Sequence, residues 1–107
     1  MPGPTPNPTP VPQWFQLWYV NPVTGKQDPV SDTSANIQFL NPADNSAFTT
    51  LQSEIGASRN DYEVSIPNNQ AVLIEWHQSS GPTLAAQAST GTYGYPSVNQ
   101  PDLVTLN

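Results

Sequence analysis

The chain has 107 residues and a formal charge of −6, with Lys26 and Arg59 its only strong cations. That length carries one domain, and two cations are too few for the counterion release that drives nucleic-acid binding or for docking on an anionic membrane. No cysteine is present, which removes disulfides, thiolate metal sites and cysteine nucleophiles together.

Residues 1–12 stand apart. Proline occupies every even position from Pro2 to Pro12, and each proline fixes its own φ and biases the residue before it toward extended backbone. The segment is therefore expected to be an extended arm, rising about 3.1 Å per residue. The plainer reading is a stiff solvated tail. The sharper one is an arm whose Pro4, Pro6, Pro8, Pro10 and Val11 lie along a partner. Its opening residues, Met-Pro-Gly-Pro-Thr, have neither the basic nor the apolar region of a signal peptide, so none is expected there.

Residues 13–107 read as a single β domain. Gln13–Val20 is the first strand. Its odd positions Phe15, Leu17 and Tyr19 form one apolar face, while Trp14 and Trp18 share the other with Gln16 between them. A sheet has one core face, so either the strand is buried on both sides or Trp14 and Trp18 meet another protein or a carbohydrate. Four residues of strand separate the two indoles by about 13 Å.

Asn21-Pro22 and Thr24-Gly25 then turn the chain. Ala35–Leu40 alternates, with Ile37 and Phe39 on one face and Asn36 and Gln38 on the other. Ala47–Ile55 fits a strand or a helix; Thr49-Thr50 favours the strand. Asp61–Ile66 points Tyr62, Val64 and Ile66 inward and Asp61, Glu63 and Ser65 outward. Pro67-Asn68-Asn69 leads into Gln70–Trp76, and the pair reads as a hairpin. Trp76 shares a face with Val72 and Ile74, which favours core packing. Thr83–Ser89 and Asp102–Leu106 are weaker strands. The Gly-aromatic loop between them brings up Tyr93 and Tyr95, either as a contact surface or packed on its own domain. Wholly apolar runs such as Ala71 to Ile74 fall far short of a membrane span.

Six or seven short strands predict an all-β fold: a small antiparallel β-sandwich, immunoglobulin-like or jelly-roll-like, with an extended Pro-rich N-terminal arm. The Cys…Trp…Cys pattern of a true immunoglobulin domain is missing.

Chemistry-bearing constellations are sparse. His77 is the only histidine, and zinc needs three or four ligands, so a surface imidazole is expected. Ser79 and Ser80 lie near it without a nucleophile-elbow motif. Asp61 and Glu63, roughly 7 Å apart on one strand face, have a spacing that paired glycosidase carboxylates could use; a solvated outer face explains them better. Asp28 and Asp32 lack the calcium-loop pattern. Lys26 as an isopeptide donor lacks an identified acid and amide partner. No catalytic residue, metal or cofactor is expected.

With 9% charged residues against roughly 25% in typical domains, the surface must be built from neutral polar side chains. That surface, the arm and the lack of cysteine and signal peptide point to a non-catalytic structural or assembly protein. The concrete expectation is a small phage virion component, a capsid decoration (cement) protein or a tail or fibre part, located in the virion. Its partners would be protein subunits of the assembly, bound through the arm and through Trp14, Trp18, Tyr93 and Tyr95, with a homo-oligomer such as a trimer as the symmetric arrangement. The alternative is a carbohydrate-binding or adhesion module at a cell surface.

Overall fold

Period-two alternation in this chain is converted into strands almost wherever it occurs. The computed structural model describes residues 9–33, 35–55, 60–92 and 100–107, and for 52–55 the backbone only. Among them run eight strands and no helix: β1 Val11–Val20, β2 Gln27–Pro29, β3 Ile37–Leu40, β4 Thr49–Ile55, β5 Asp61–Ile66, β6 Ala71–Trp76, β7 Leu84–Ser89 and β8 Asp102–Leu106. β1, β2, β4, β5 and β8 form one sheet, and β3, β6 and β7 the other. The fold is all-β and sandwich-like.

β1 organises the larger sheet. Phe15 pairs with Tyr62 of β5 and with Asp102 of β8, and Trp18 pairs with Pro29 of β2 and with Thr105 of β8. β8 therefore runs along one edge of β1, while β5 and then β2 share the other. Asn60 marks the handover. Its backbone carbonyl accepts from Leu17 N–H, and its side-chain amide and Val30 N–H both donate to the Leu17 carbonyl.

Three expectations change. β1 begins at Val11, paired with Ile66, so Val11 and Pro12, read from sequence as the end of the arm, are strand residues. Pro12 sits ahead of the residues that pair with β8, near the strand start where a missing N–H is tolerated. The β1–β8 pair is parallel, so the larger sheet is not purely antiparallel. β5 and β6 are not a hairpin: β5 pairs with β1 and β4, β6 with β3 and β7. Pro67-Asn68-Asn69, with Asn69 at φ 55, reverses the chain but carries it across the core into the opposite sheet. The 47–55 segment, for which the sequence favours a strand over a helix, forms that strand over Thr49–Ile55, β4, its pairing with β5 broken by two register shifts.

The core is one cluster drawn from both sheets. Phe15 and Leu17 of β1, Tyr62, Val64 and Ile66 of β5, and Val104 and Leu106 of β8 meet Ile37 and Phe39 of β3 and Val72, Ile74 and Trp76 of β6. Phe39 packs at 5.4 Å from Phe15 and 6.2 Å from Tyr62, centroid to centroid. The two sheets also touch at both margins. Asn107 and Ala85 exchange backbone hydrogen bonds at 3.1 Å, and Phe48 N–H donates to the Phe39 carbonyl at 2.7 Å beside the Leu40–Ala47 bridge. These corner bonds tie the two sheets of the sandwich together at its margins.

The β2–β3 loop is tied down from both sheets. The Tyr62 hydroxyl donates to the Val30 carbonyl at 2.6 Å and accepts from Asp32 N–H at 3.2 Å. Asp32 in turn accepts from Trp76 Nε1 at 2.9 Å, Asn36 Nδ2 at 3.0 Å and Thr33 N–H at 2.7 Å. These bonds, the Trp76 indole foremost, hold the Asp32 carboxyl below its ordinary value of 3.8.

Candidate functional site: the outer face of the larger sheet

Because Phe15 and Leu17 are buried, Trp14, Gln16 and Trp18 must point away from the core, and all three are only partly buried. Residues directly opposite on paired strands share a face. Glu63 stands across from Trp14, Asp61 and Leu103 flank Gln16, and Thr105 and Pro29 flank Trp18. The expected outward set of β5, Asp61, Glu63 and Ser65, is on this face. Leu103 is the addition that the sequence reading missed. It is 66% exposed and sits between the two tryptophans on the neighbouring strand. The inward Val104 and Leu106 of β8 carried the signal, since period two then forces Leu103 outward.

The centre of the face is rigid. Trp18 Nε1 donates to Gln16 Oε1 at 3.0 Å, and Gln16 Nε2 donates to Asp61 Oδ1 at 3.0 Å. Gln27 Nε2 donates to Thr105 Oγ1 at 2.7 Å at one end of the row. The result is an ordered strip of two indoles and a leucine set among neutral polar groups, with Asp61 and Glu63 giving it a negative border. Side chains already locked by hydrogen bonds and packing lose little further freedom on docking.

The remaining candidates are dispersed. Pro10 is exposed and Val11 is partly buried against the sheet, whereas Pro4, Pro6, Pro8, Tyr93 and Tyr95 lie outside the described residues. Trp76 is in the core, edge-on to Tyr19 at 5.1 Å. His77 is a surface residue: Nε2 lies 3.2 Å from Glu75 Oε1 and Nδ1 3.3 Å from Thr83 Oγ1. This outlines a relay of hydroxyl, imidazole and carboxylate, but His77 and Thr83 are exposed, and solvated groups lack the enclosed setting in which such a relay gains strength. Asp28 accepts from Asn21 Nδ2 at 2.9 Å, Asp32 is occupied by Trp76, Asn36 and Thr33, and Lys26 is exposed on the β1–β2 turn. Among the described residues no three metal-ligating side chains converge.

Two amides are fully interior. Gln13 donates through Nε2 to the Ile66 carbonyl at 3.1 Å and to Asn68 Oδ1 at 3.0 Å, tying β1 to the turn after β5; Asn60 donates through Nδ2 to the Leu17 carbonyl at 2.9 Å, at the β5–β2 handover. Asp102 begins β8 on its inward side, and burial raises its carboxyl above the ordinary value. Gln13 and Asn60 hold strands together, and the Asp102 carboxyl adds none of the apolar contact that characterises the outer face.

Compared with protein-family models, curated proteins and solved structures, the chain matches none.

Proposed function

We propose that this protein is a non-catalytic assembly protein that binds a neighbouring protein subunit through the outer face of its larger sheet, with Trp14, Trp18 and Leu103 as the apolar anchors. The observation that carries the reading is Leu103. A sugar-binding strip offers flat aromatic rings with hydrogen-bonding groups between them, whereas here an exposed aliphatic side chain stands between the rings, which suits an apolar protein side chain better than a hydroxyl-rich ring. Aromatic anchors of this kind dominate protein interfaces. Asp61 and Glu63 favour a partner surface that is neutral or basic there, and disfavour a second copy of this acidic chain on the same face.

The setting that fits is a virion component such as a capsid decoration or tail protein. Its support is compositional: a neutral polar surface, no cysteine and a stiff Pro-rich segment. In finer fold class, a five-plus-three division in which β2 is only three residues long lies near the four-plus-three division of immunoglobulin-like sandwiches, and that is the class we favour.

The test is calorimetric titration of the chain, and of Leu103→Asp, against purified proteins encoded beside it in its genome, with a glycan array run in parallel. One of the proteins should bind, and Leu103→Asp should weaken it tenfold or more, about 1.4 kcal/mol. Glycan binding lost in Trp14→Ala or Trp18→Ala would replace this reading with a carbohydrate-binding one.

A further inference from the structure

A second surface lies at the end of the sandwich where β1 and β8 finish. There the β6–β7 connection borders a groove of about 420 Å³, within the size range of small-ligand sites. Tyr19, Pro22, Pro82, Leu84 and Leu106 supply its apolar surface, and among the described residues no charged side chain lines it. The groove is preformed. The Tyr19 ring is held edge-on against Trp76. Gln78 Nε2 donates to the Pro82 carbonyl at 2.7 Å, and the loop between them turns at Gly81, φ +131, where a Cβ would meet Gln78 Nε2 at 3.0 Å.

We infer that this groove receives the Pro-rich N-terminal segment of a second copy of the chain. Extended proline-rich segments dock against aromatic and apolar grooves, because their conformation is set before binding and little freedom is lost. Residues 1–12 carry no charged side chain, matching the uncharged groove. Two copies at −6 each repel, so a neutral contact is the one over which they meet at least cost. This inference does not depend on what the outer face binds.

Reach selects the second copy over the segment's own domain. The segment joins the fold at Val11, and the groove begins at Tyr19, about 27 Å further along β1. Ten residues at about 3.1 Å each span roughly 31 Å when straight. To enter its own groove the segment must first reverse direction, which a sequence of alternating prolines disfavours. What length remains after a reversal does not span the strand. A neighbour's segment meets no such limit, and the contact is either reciprocal between two copies or passes from copy to copy around a ring.

The experiment uses the full chain, a deletion of residues 2–10, and Val20→Glu, which puts a charge at the groove's rim on a residue already 46% exposed. Sedimentation over a concentration series should show reversible self-association of the full chain. The deletion should be monomeric and Val20→Glu at least tenfold weaker, both with the melting temperature of the parent. A synthetic peptide of residues 1–12, titrated into the deletion, should shift the backbone amide resonances of Tyr19, Gly81, Leu84 and Leu106. A full chain that stays monomeric at millimolar concentration would overturn the inference, as would unchanged association of the deletion or peptide shifts lying elsewhere.

Discussion

Asp32→Ala should unfold this domain at a markedly lower temperature, although Asp32 lies in a loop. Its carboxylate is the acceptor for the indole N–H of Trp76 at 2.9 Å, and Trp76 is 9% exposed. Removing the acceptor leaves a nearly buried donor without a partner. The loss of a charge-assisted bond and the desolvation of the orphaned N–H together cost about 2 kcal/mol. The bonds from Asn36 and Thr33 add less, since water replaces them. For a domain of this size about 2 kcal/mol lowers the melting temperature by roughly 8–16 °C. Thermal unfolding followed by near-ultraviolet circular dichroism measures it. A double-mutant cycle with Trp76→Phe isolates the pair, and a coupling of about 1 kcal/mol or more is expected. A shift under about 3 °C for Asp32→Ala, or additivity in the cycle, would refute the reasoning.

Acid should expose the same bond: with the folded carboxyl held below 3.8, its stabilisation is whole above that pH and is lost as pH falls through the folded value, so Asp32→Ala should show a shallower acid limb in denaturant midpoints taken below about pH 4. Asp102 has the opposite sign: burial raises its carboxyl, so its protonated form favours the fold, that contribution disappears as pH rises above the raised value, and Asp102→Asn should gain stability at neutral pH but not at pH 3, read by urea midpoints at each pH. Gly81→Ala should destabilise by about 1 kcal/mol or more in chemical denaturation, because φ +131 disfavours a side chain and the new Cβ meets Gln78. Leu103→Asp alters an exposed side chain, so its melting temperature should stay within about 3 °C of the parent; a larger fall would mean that Leu103 belongs to the fold.

What was legible in the sequence follows from how local each feature is. Strands with one buried face announce it by alternation, and the inward sets Phe15–Leu17, Ile37–Phe39, Tyr62–Val64–Ile66 and Val72–Ile74–Trp76 are the observed core. Alternation leaves the direction of Trp14 and Trp18 open, because it separates two faces without saying which is inward when both carry aromatics; the opposite sheet settles it by covering Phe15 and Leu17. The turn at 67–69 was legible as a reversal, but which sheet the next strand joins depends on contacts far away in sequence. β2 escaped because three residues, Gln27–Pro29, are too few to alternate, and the fully buried Val30 beside it is a lone apolar residue in a polar stretch. The parallel β1–β8 pair joins segments more than eighty residues apart, the end groove is built from three stretches distant in sequence, and no local pattern encodes either.

The most direct test of the assembly reading is hydroxyl-radical footprinting of side chains, comparing the purified free chain with the same protein in the particle isolated from its source. Trp14, Trp18 and Leu103 should be oxidised in the free chain and protected in the particle, while Val23, 90% exposed on the β1–β2 turn, should be labelled in both. Equal labelling of the two tryptophans and Leu103 in the two states would contradict the proposal that the outer face is the binding surface.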